Sequence, residues 1–426
     1  AQESRGLGDV YKRQDEHQPY PPLRNIEAFP IHHQGQTLIC LHDPLGYVNT
    51  EITLSPAAFF IAACLDGNHT LRDIQLEFAR EFQGALIPRE QIERIVEFLD
   101  EHGFLLNERF EEIKSKTEQD FLQQVVRLPY HAGQSYSSAK HELGAFLSGI
   151  FTRTGGPGPL PDEQQSSEDC MVGLIVPHID LQRGALGYAH AYYRLYQCKK
   201  PDTVIIFGVS HQGGETPYIL TRKHYSTPLG TIKTHQECVD YLAQNLQFDP
   251  FKSEIMHRME HSIEFQVLML NYLFGTDIQI VPVLCASIPE DGERLPEDLP
   301  EVQQFLQTCV RYIEESGERV LVLSASDWAH VGKRFGDSFD ITEDVRNQIK
   351  KRDDEDIKTV LTMEPDSFFH SVMKDKNSRR VCGLHSMYSM LKVIKGKAHR
   401  AEFLHYGQAP DPIGGIVSFS SIAYFE

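Results

Sequence analysis

The chain reads as an α/β protein: a largely parallel sheet covered by helices on both faces, preceded by a small α+β unit. Three observations predict this. Short apolar runs rich in β-branched residues, such as Val172 to Val176, Thr203 to Phe207 and Val320 to Leu323, have the pattern of strands buried on both faces. They alternate with longer stretches of helical period, as a sheet covered on both sides requires. Ahead of them, residues 20–110 carry several short helix signals and little strand.

The 426 residues exceed one small core, so two or three domains are expected. Hydrophobic residues make up 41% and charged residues 24%, the balance of a globular protein in water. The 60 acidic side chains outnumber the 41 basic ones, giving a formal charge of -19, which argues against nucleic acid or an anionic membrane as partner. No run reaches the ~18 apolar residues of a membrane span, and no apolar signal segment opens the chain. The eight cysteines are scattered and none forms C-x-x-C, a usage suited to a reducing, cytoplasmic compartment rather than to disulfides or a zinc knuckle.

Residues 1–19 show no hydrophobic period and are set aside as a disordered leader or expression remnant. In residues 20–110, Thr37 to Leu41 and Glu51 to Leu54 read as short strands. Ser55-Pro56 then supplies an N-cap and a first-turn proline for a helix through Leu65. Asp66-Gly67-Asn68 is a turn signal, and Thr70 caps a helix with Leu71, Ile74, Phe78 and Phe82 on one face. Pro88 opens a third helix, with Ile92, Ile95, Val96 and Leu99 inward and Gly103 where a left-handed cap residue belongs. Phe104 to Leu106 then reads as a strand start. Three helices and a β-ribbon make a winged-helix-like module. Residues 111–126 read as a helical linker, and residues 127–426 as the second domain. Thr152 to Asp169 is a loop by its Gly, Pro and Ser content.

Within the second domain, Ala185 to Tyr196, Ile263 to Leu273 and Ile341 to Leu361 read as helices. Ile278 to Leu284 and Ile416 to Phe425 add strands, and Pro228-Leu-Gly230 is a turn. No P-loop and no G-x-G-x-x-G after a strand is present, so nucleotide binding has no support.

Three apolar runs end in ionisable residues: His178, His211, and Asp327 with His330. Parallel strands deliver their carboxyl ends to one edge, where α/β sheets bind ligands. Neutral imidazole suits iron, copper or zinc, a carboxylate can complete the set, and three nitrogens leave positions open for water or substrate. For any one histidine, capping or hydrogen bonding is the competing explanation. Cys382, three residues before His385, reads as a ligand, a nucleophile, a redox-sensitive thiol or a small buried side chain. His261 and Glu264 share one helix face at i, i+3, as an acid/base or ligand-orienting pair or as a solvated helix start.

The motifs His131-Ala-Gly133, Val176-Pro-His178, Gly208-Val-Ser-His211, Glu260-His-Ser-Ile-Glu264, Ser326-Asp-Trp-Ala-His330, Cys382-Gly-Leu-His385 and His405-Tyr-Gly-Gln408 occur in the order found in the Memo family. Residues 127–426 resemble that family, the B component of the system that couples Memo-like, AMMECR-like and radical-SAM proteins. The resemblance implies a LigB-like fold, similar to class III extradiol dioxygenases. It implies a metal pocket at His178, His211 and His330, with Asp327 and Cys382 beside it, and Fe2+ ahead of Cu or Zn. Extradiol enzymes use two histidines and a carboxylate; a three-histidine set departs from that. Pro177-His-Ile-Asp180 also departs from the family's Pro-His-Ala-Gly, placing a charged Asp180 at the pocket mouth, and Trp328 is expected to wall the pocket. Glu51 to Leu106, through Ser55-Pro-Ala-Ala58 and Cys64-Leu-Asp-Gly-Asn-His-Thr70, is similar to the PqqD-like family, whose members bind peptides along a strand edge.

Three functions compete. One is an Fe2+-dependent dioxygenase-like oxidoreductase acting on a small-molecule substrate, with Asp327, Cys382, His261 and Glu264 in catalytic roles. A second is a non-catalytic module presenting a peptide, a radical-SAM or an AMMECR-like partner. A third is a metal-dependent hydrolase, where zinc brings the pKa of a bound water to about 7.

Overall fold

The computed structural model describes residues 17–33, 35–161, 168–286, 288, 292 and 294–426. The expectations for residues 1–16 and for residues 162–167 of the Thr152 to Asp169 loop lie outside these. The chain divides into two compact units at Gln123/Gln124.

The first unit contains β1 (Glu27–His33), β2 (Gln36–His42) and β3 (Ile52–Leu54), then α1 (Pro56–Ala63), α2 (Leu71–Glu81), α3 (Arg89–Glu101) and α4 (Glu108–Gln123). The sheet is antiparallel in the order β1-β2-β3, so its ribbon precedes the helices. The helix starts follow the sequence signals. Ser55 Oγ accepts from Ala58 N, and Thr70 with Asp73 forms a reciprocal capping box. Gly103 has φ +71° after α3. Instead of a strand, Phe104 to Leu106 contributes a single bridge, Leu105 to Leu23. Residues 111–123 lie in α4 and pack into the first unit. Phe110 and Phe121 are buried, and Tyr47 donates to Glu118. Arg24, buried against Asp43 at 2.8 Å, donates to Gly103 O and stacks on Phe110. That pairing lets a charged side chain sit in the core.

The second unit begins with β4 (Val126–Arg127), α5 (Lys140–Thr152), β5 (Met171–Val176), α6 (Ala185–Tyr196), β6 (Thr203–Val209), β7 (Tyr218–Leu220), β8 (His224–Thr227) and β9 (Gly230–Thr234). It continues with α7 (Gln236–Gln244), α8 (His261–Phe274), β10 (Gln279–Cys285), α9 (Pro300–Glu315), β11 (Val320–Ala325) and β12 (His330–Gly332). It ends with α10 (Glu343–Leu361), α11 (Pro365–Met373), α12 (Leu384–Ile394), β13 (Arg400–Asp411) and β14 (Gly415–Phe425). The result is a mixed α/β unit around a large central sheet, ordered β12-β14-β5-β11-β6-β10-β9-β8-β4, with β13 on β14 and β7 on β10.

The middle of this sheet, β5-β11-β6-β10, is parallel. Its strands are buried on both faces because each faces a helical layer. Val320 and Val322 of β11 and Ile205 and Phe207 of β6 pack toward α7 and α9 to α12. Leu321, Leu323, Val204 and Ile206 pack toward α5, α6 and α8. Burial of each such side chain contributes about 1.5–3 kcal/mol. Among the described residues no helix is long and apolar enough to cross a membrane.

Candidate metal centre

β5, β11 and β6 are adjacent and parallel, so their carboxyl ends meet along one edge. Past β5, the chain turns through Pro177 and presents His178, which is only 2% exposed. Its backbone N–H donates to Asp327 Oδ1 (3.2 Å), and its Nδ1 lies 2.9 Å from Ala325 O. A carbonyl only accepts, so Nδ1 carries the proton and Nε2 keeps the lone pair.

His211 follows β6 in the same way. Its N–H donates to Glu260 Oε2, and its Nδ1 sits 3.0 Å from that oxygen. Glu260 is the N-cap of α8 and accepts from Ser262 N. Gly208 lets this helix start come close, since a Cβ there would lie 2.7 Å from Ser262 Oγ. His261, the first residue of α8, has Nδ1 3.2 Å from Glu260 Oε1. One carboxylate therefore faces two imidazoles, leaving the Nε2 side of each ring for a ligand role.

The ring centroids are 5.0 Å apart for His178–His211, 5.4 Å for His178–His261 and 4.8 Å for His211–His261. One nitrogen from each of the three lies within 4.8 Å of the others. These three imidazoles form a potential metal-binding cluster, and the donor set fits a transition ion: imidazole nitrogens backed by a carbonyl and a carboxylate.

Electrostatics follows from the burial of this group. Burial opposes charge on His211, but Glu260 and Cys382 together outweigh it and hold His211 well above the ordinary histidine value. Burial drives His261 well below that value despite the same carboxylate. Burial also works against Glu260, yet His211 and His261 hold it well below the usual carboxylate range. Asp327 is raised by burial to about 6, against the pull of His330 and the His178 N–H. Cys382 Sγ stands 3.4 Å from His178 Nε2 and 3.7 Å from Asp327 O. Burial raises its thiol, but His178 and His211 bring it down to about 7.

His330 stands outside the group of three, and His261 completes it. The His330 N–H donates to Arg379 O, its Nδ1 faces Trp328 O and Arg380 O, and its ring packs edge-on to Phe335. Glu264 is buried and accepts from Arg127, Tyr136, Tyr130 N and His131 N, so its oxygens are taken up by the fold. Glu260, not Glu264, touches His211 and His261, and Asp327 Oδ2 lies 3.5 Å from His178 Nε2. The signal for Glu260 was a carboxylate directly before His261 at a helix start.

The two residues expected at the pocket walls have these partners. Trp328 is fully buried in the core, where it donates to Ser420 Oγ (2.8 Å) and meets Phe368 edge-on. Asp180 accepts from Gln182 N and Arg183 N and pairs with Arg183, so its charge is spent on a turn. His131 donates through Nε2 to Met259 O, and its ring lies 5.8 Å from His261. His405 stacks on His190 at 5.2 Å, away from the three histidines.

The sequence profile of the Memo-like protein family matches residues 127–424. The chain is 28% identical to a MEMO1 family protein of Aquifex aeolicus over 372 residues, covering 87% of this chain and 90% of that one. It is 30% identical to a MEMO1 family protein of Methanococcoides burtonii over 260 residues (60% and 87%). It is 23% identical to one of Desulfurococcus amylolyticus over 304 residues (70% and 99%). The profile spans well over half of the chain, from β4 through β14, and encloses all three clustered histidines: the protein belongs to the Memo family.

Proposed function

We propose that the second unit binds one transition-metal ion through His178, His211 and His261 and acts as a metal-dependent oxidoreductase with a fold similar to class III extradiol dioxygenases. The observation that carries this is the convergence of three imidazole nitrogens, all within 4.8 Å of one another. Behind them, His178 Nδ1 bonds Ala325 O and Glu260 faces Nδ1 of both His211 and His261, while Asp327 Oδ2 (3.5 Å) and Cys382 Sγ (3.4 Å) stand next to His178 Nε2. Fe2+ is the proposed ion, with Cu and Zn as competitors for the same imidazoles. Bound there, iron would supply a redox-active centre with coordination positions open to substrate and oxygen.

The chain's own groups have distinct tasks in this reading. Glu260 orients two rings at once. Asp327 fixes the His178 backbone and, with a pKa near neutrality, can hold or release a proton beside that ring. Cys382, also near neutrality, is the second proton-carrying group in reach of His178. The decisive experiment is anaerobic purification followed by elemental analysis of wild type and of His178→Ala, His211→Ala, His261→Ala and His330→Ala. Loss of metal from the first three, with most of it kept in His330→Ala, is expected. Equal occupancy after His178→Ala and His211→Ala would overturn the reading.

A second role is proposed for the first unit: receiving an extended peptide or a radical-SAM-type partner along β1. That strand pairs on one side with β2 and is largely exposed, which is the requirement for strand addition. Protection of β1 amides from hydrogen exchange on adding such a partner supports it; unchanged exchange contradicts it.

A further inference from the structure

Among the described residues, three buried side-chain polar atoms lack a hydrogen-bond partner: Glu97 Oε1, Arg379 Nε and His385 Nε2. Arg379 Nε has Asp375 Oδ2 at 3.8 Å, and Glu97 belongs to the first unit. His385 is different, because its surroundings fix what is missing. Its Nδ1 lies 2.8 Å from Ala286 O, a pure acceptor, so Nδ1 bears the proton. Nε2 is then a lone pair without a donor, and burial pulls the ring's pKa down to about 4, which keeps it neutral at neutral pH. A covered acceptor of this kind calls for an explanation.

Its position supplies one. Ala286 follows β10, and the preceding carbonyl, Cys285 O, receives the N–H of Ser210 beside His211. On the other side, His385 is three residues from Cys382, whose sulfur meets His178. The ring thus stands at the same carboxyl edge as the three histidines. It also sits in the first turn of α12, which opens on Gly383 with no capping side chain and no acidic residue in that turn. Backbone carbonyls meet its first N–H groups, Asp327 O that of Gly383 and Val381 O that of Leu384, and no acidic side chain in the first turn meets its positive end. The residue is part-exposed although Nε2 is covered.

We propose that His385 Nε2 and the N-terminus of α12 form a recognition position for a small ligand carrying an O–H or N–H donor next to an anionic oxygen, as hydroxy acids and amino acids do. This deepens the reading of the same crevice as a metal site and rests on it only for the fate of the bound ligand.

The test uses the full chain with isotope-labelled histidine. The His385 Nε2 resonance is assigned by its loss in His385→Phe. Glycolate is compared with methoxyacetate, the same anion without the hydroxyl donor. The expected result is an unbonded Nε2 signal that moves on adding glycolate, and methoxyacetate binding about tenfold more weakly. That preference disappears in His385→Phe and survives in part in His385→Gln, whose amide oxygen accepts. Four results would overturn the proposal: a signal already displaced by trapped water and unmoved by glycolate; equal or undetectable binding of the two acids by wild type; an undiminished preference in His385→Phe; or loss of all binding to both acids in a folded His385→Gln. Metal content is measured in every sample, and the titration is repeated after chelation. A preference that persists without metal upholds His385 even where the metal reading fails.

Discussion

Two glutamates four residues apart do opposite work. Glu260 touches His211 and His261, whereas Glu264 neutralises the buried Arg127 and gathers Tyr136 and two backbone N–H groups. Glu260→Gln keeps the shape and removes the charge behind two ligands, so metal affinity should fall about 10–100-fold with little loss of fold; a chelator competition measures it. Glu264→Gln leaves a buried guanidinium unpaired, so urea unfolding should show about 3–5 kcal/mol lost. His257, fully buried, bonds Tyr225 OH and Ile219 O, and burial depresses its pKa to about 3. Between that value and the ordinary one, the unfolded chain binds more protons than the folded one. The contribution of His257 is therefore complete above the ordinary histidine value and is lost as pH falls below it. Unfolding free energy should drop with acidification by up to about 1.4 kcal/mol per pH unit from this group, and His257→Gln should show a visibly shallower drop. Identical slopes would contradict the assignment.

At the scale of elements, the site depends on how closely α12 approaches the end of β11. A Cβ at Gly383 would lie 2.4 Å from Ser326 Cβ, while one at Gly144 meets nothing within 4 Å. Gly383→Ala should therefore push Cys382 away from His178 and lower both metal occupancy and melting temperature, and Gly144→Ala should leave both unchanged. Elemental analysis and calorimetry on the two variants check this together.

The elements also show what was legible in the residues. Helix starts at Ser55 and Thr70 carry local capping chemistry and need no tertiary information. The β-branched runs of β5, β6 and β11 announce themselves in the same way. β1 and β13 escaped because neither has a sustained apolar face: β1 is exposed on most positions and contains Pro30, and β13 is interrupted by charge and a bulge at Phe403/His405. His178 and His211 could be found because strand ends point to one edge. The choice of His261 over His330 could not, since it depends on where the start of α8 sits against β6, a contact between segments about fifty residues apart in sequence (Val209 N to Ser262 Oγ, 3.1 Å).

For the whole molecule, two compact units imply unfolding that is not two-state. Calorimetry should resolve two transitions. Added metal should raise only the one that belongs to residues 124–426, by about 2.7 kcal/mol at a hundredfold excess over the dissociation constant. A shift of the other transition would place the metal outside the three histidines. The most direct measurement is anomalous diffraction at the absorption edge of the bound metal in crystals of the loaded protein. The account predicts one peak bounded by His178, His211 and His261, with Glu260 behind two of the rings. No peak there, or a peak held by other side chains without His261, would contradict it.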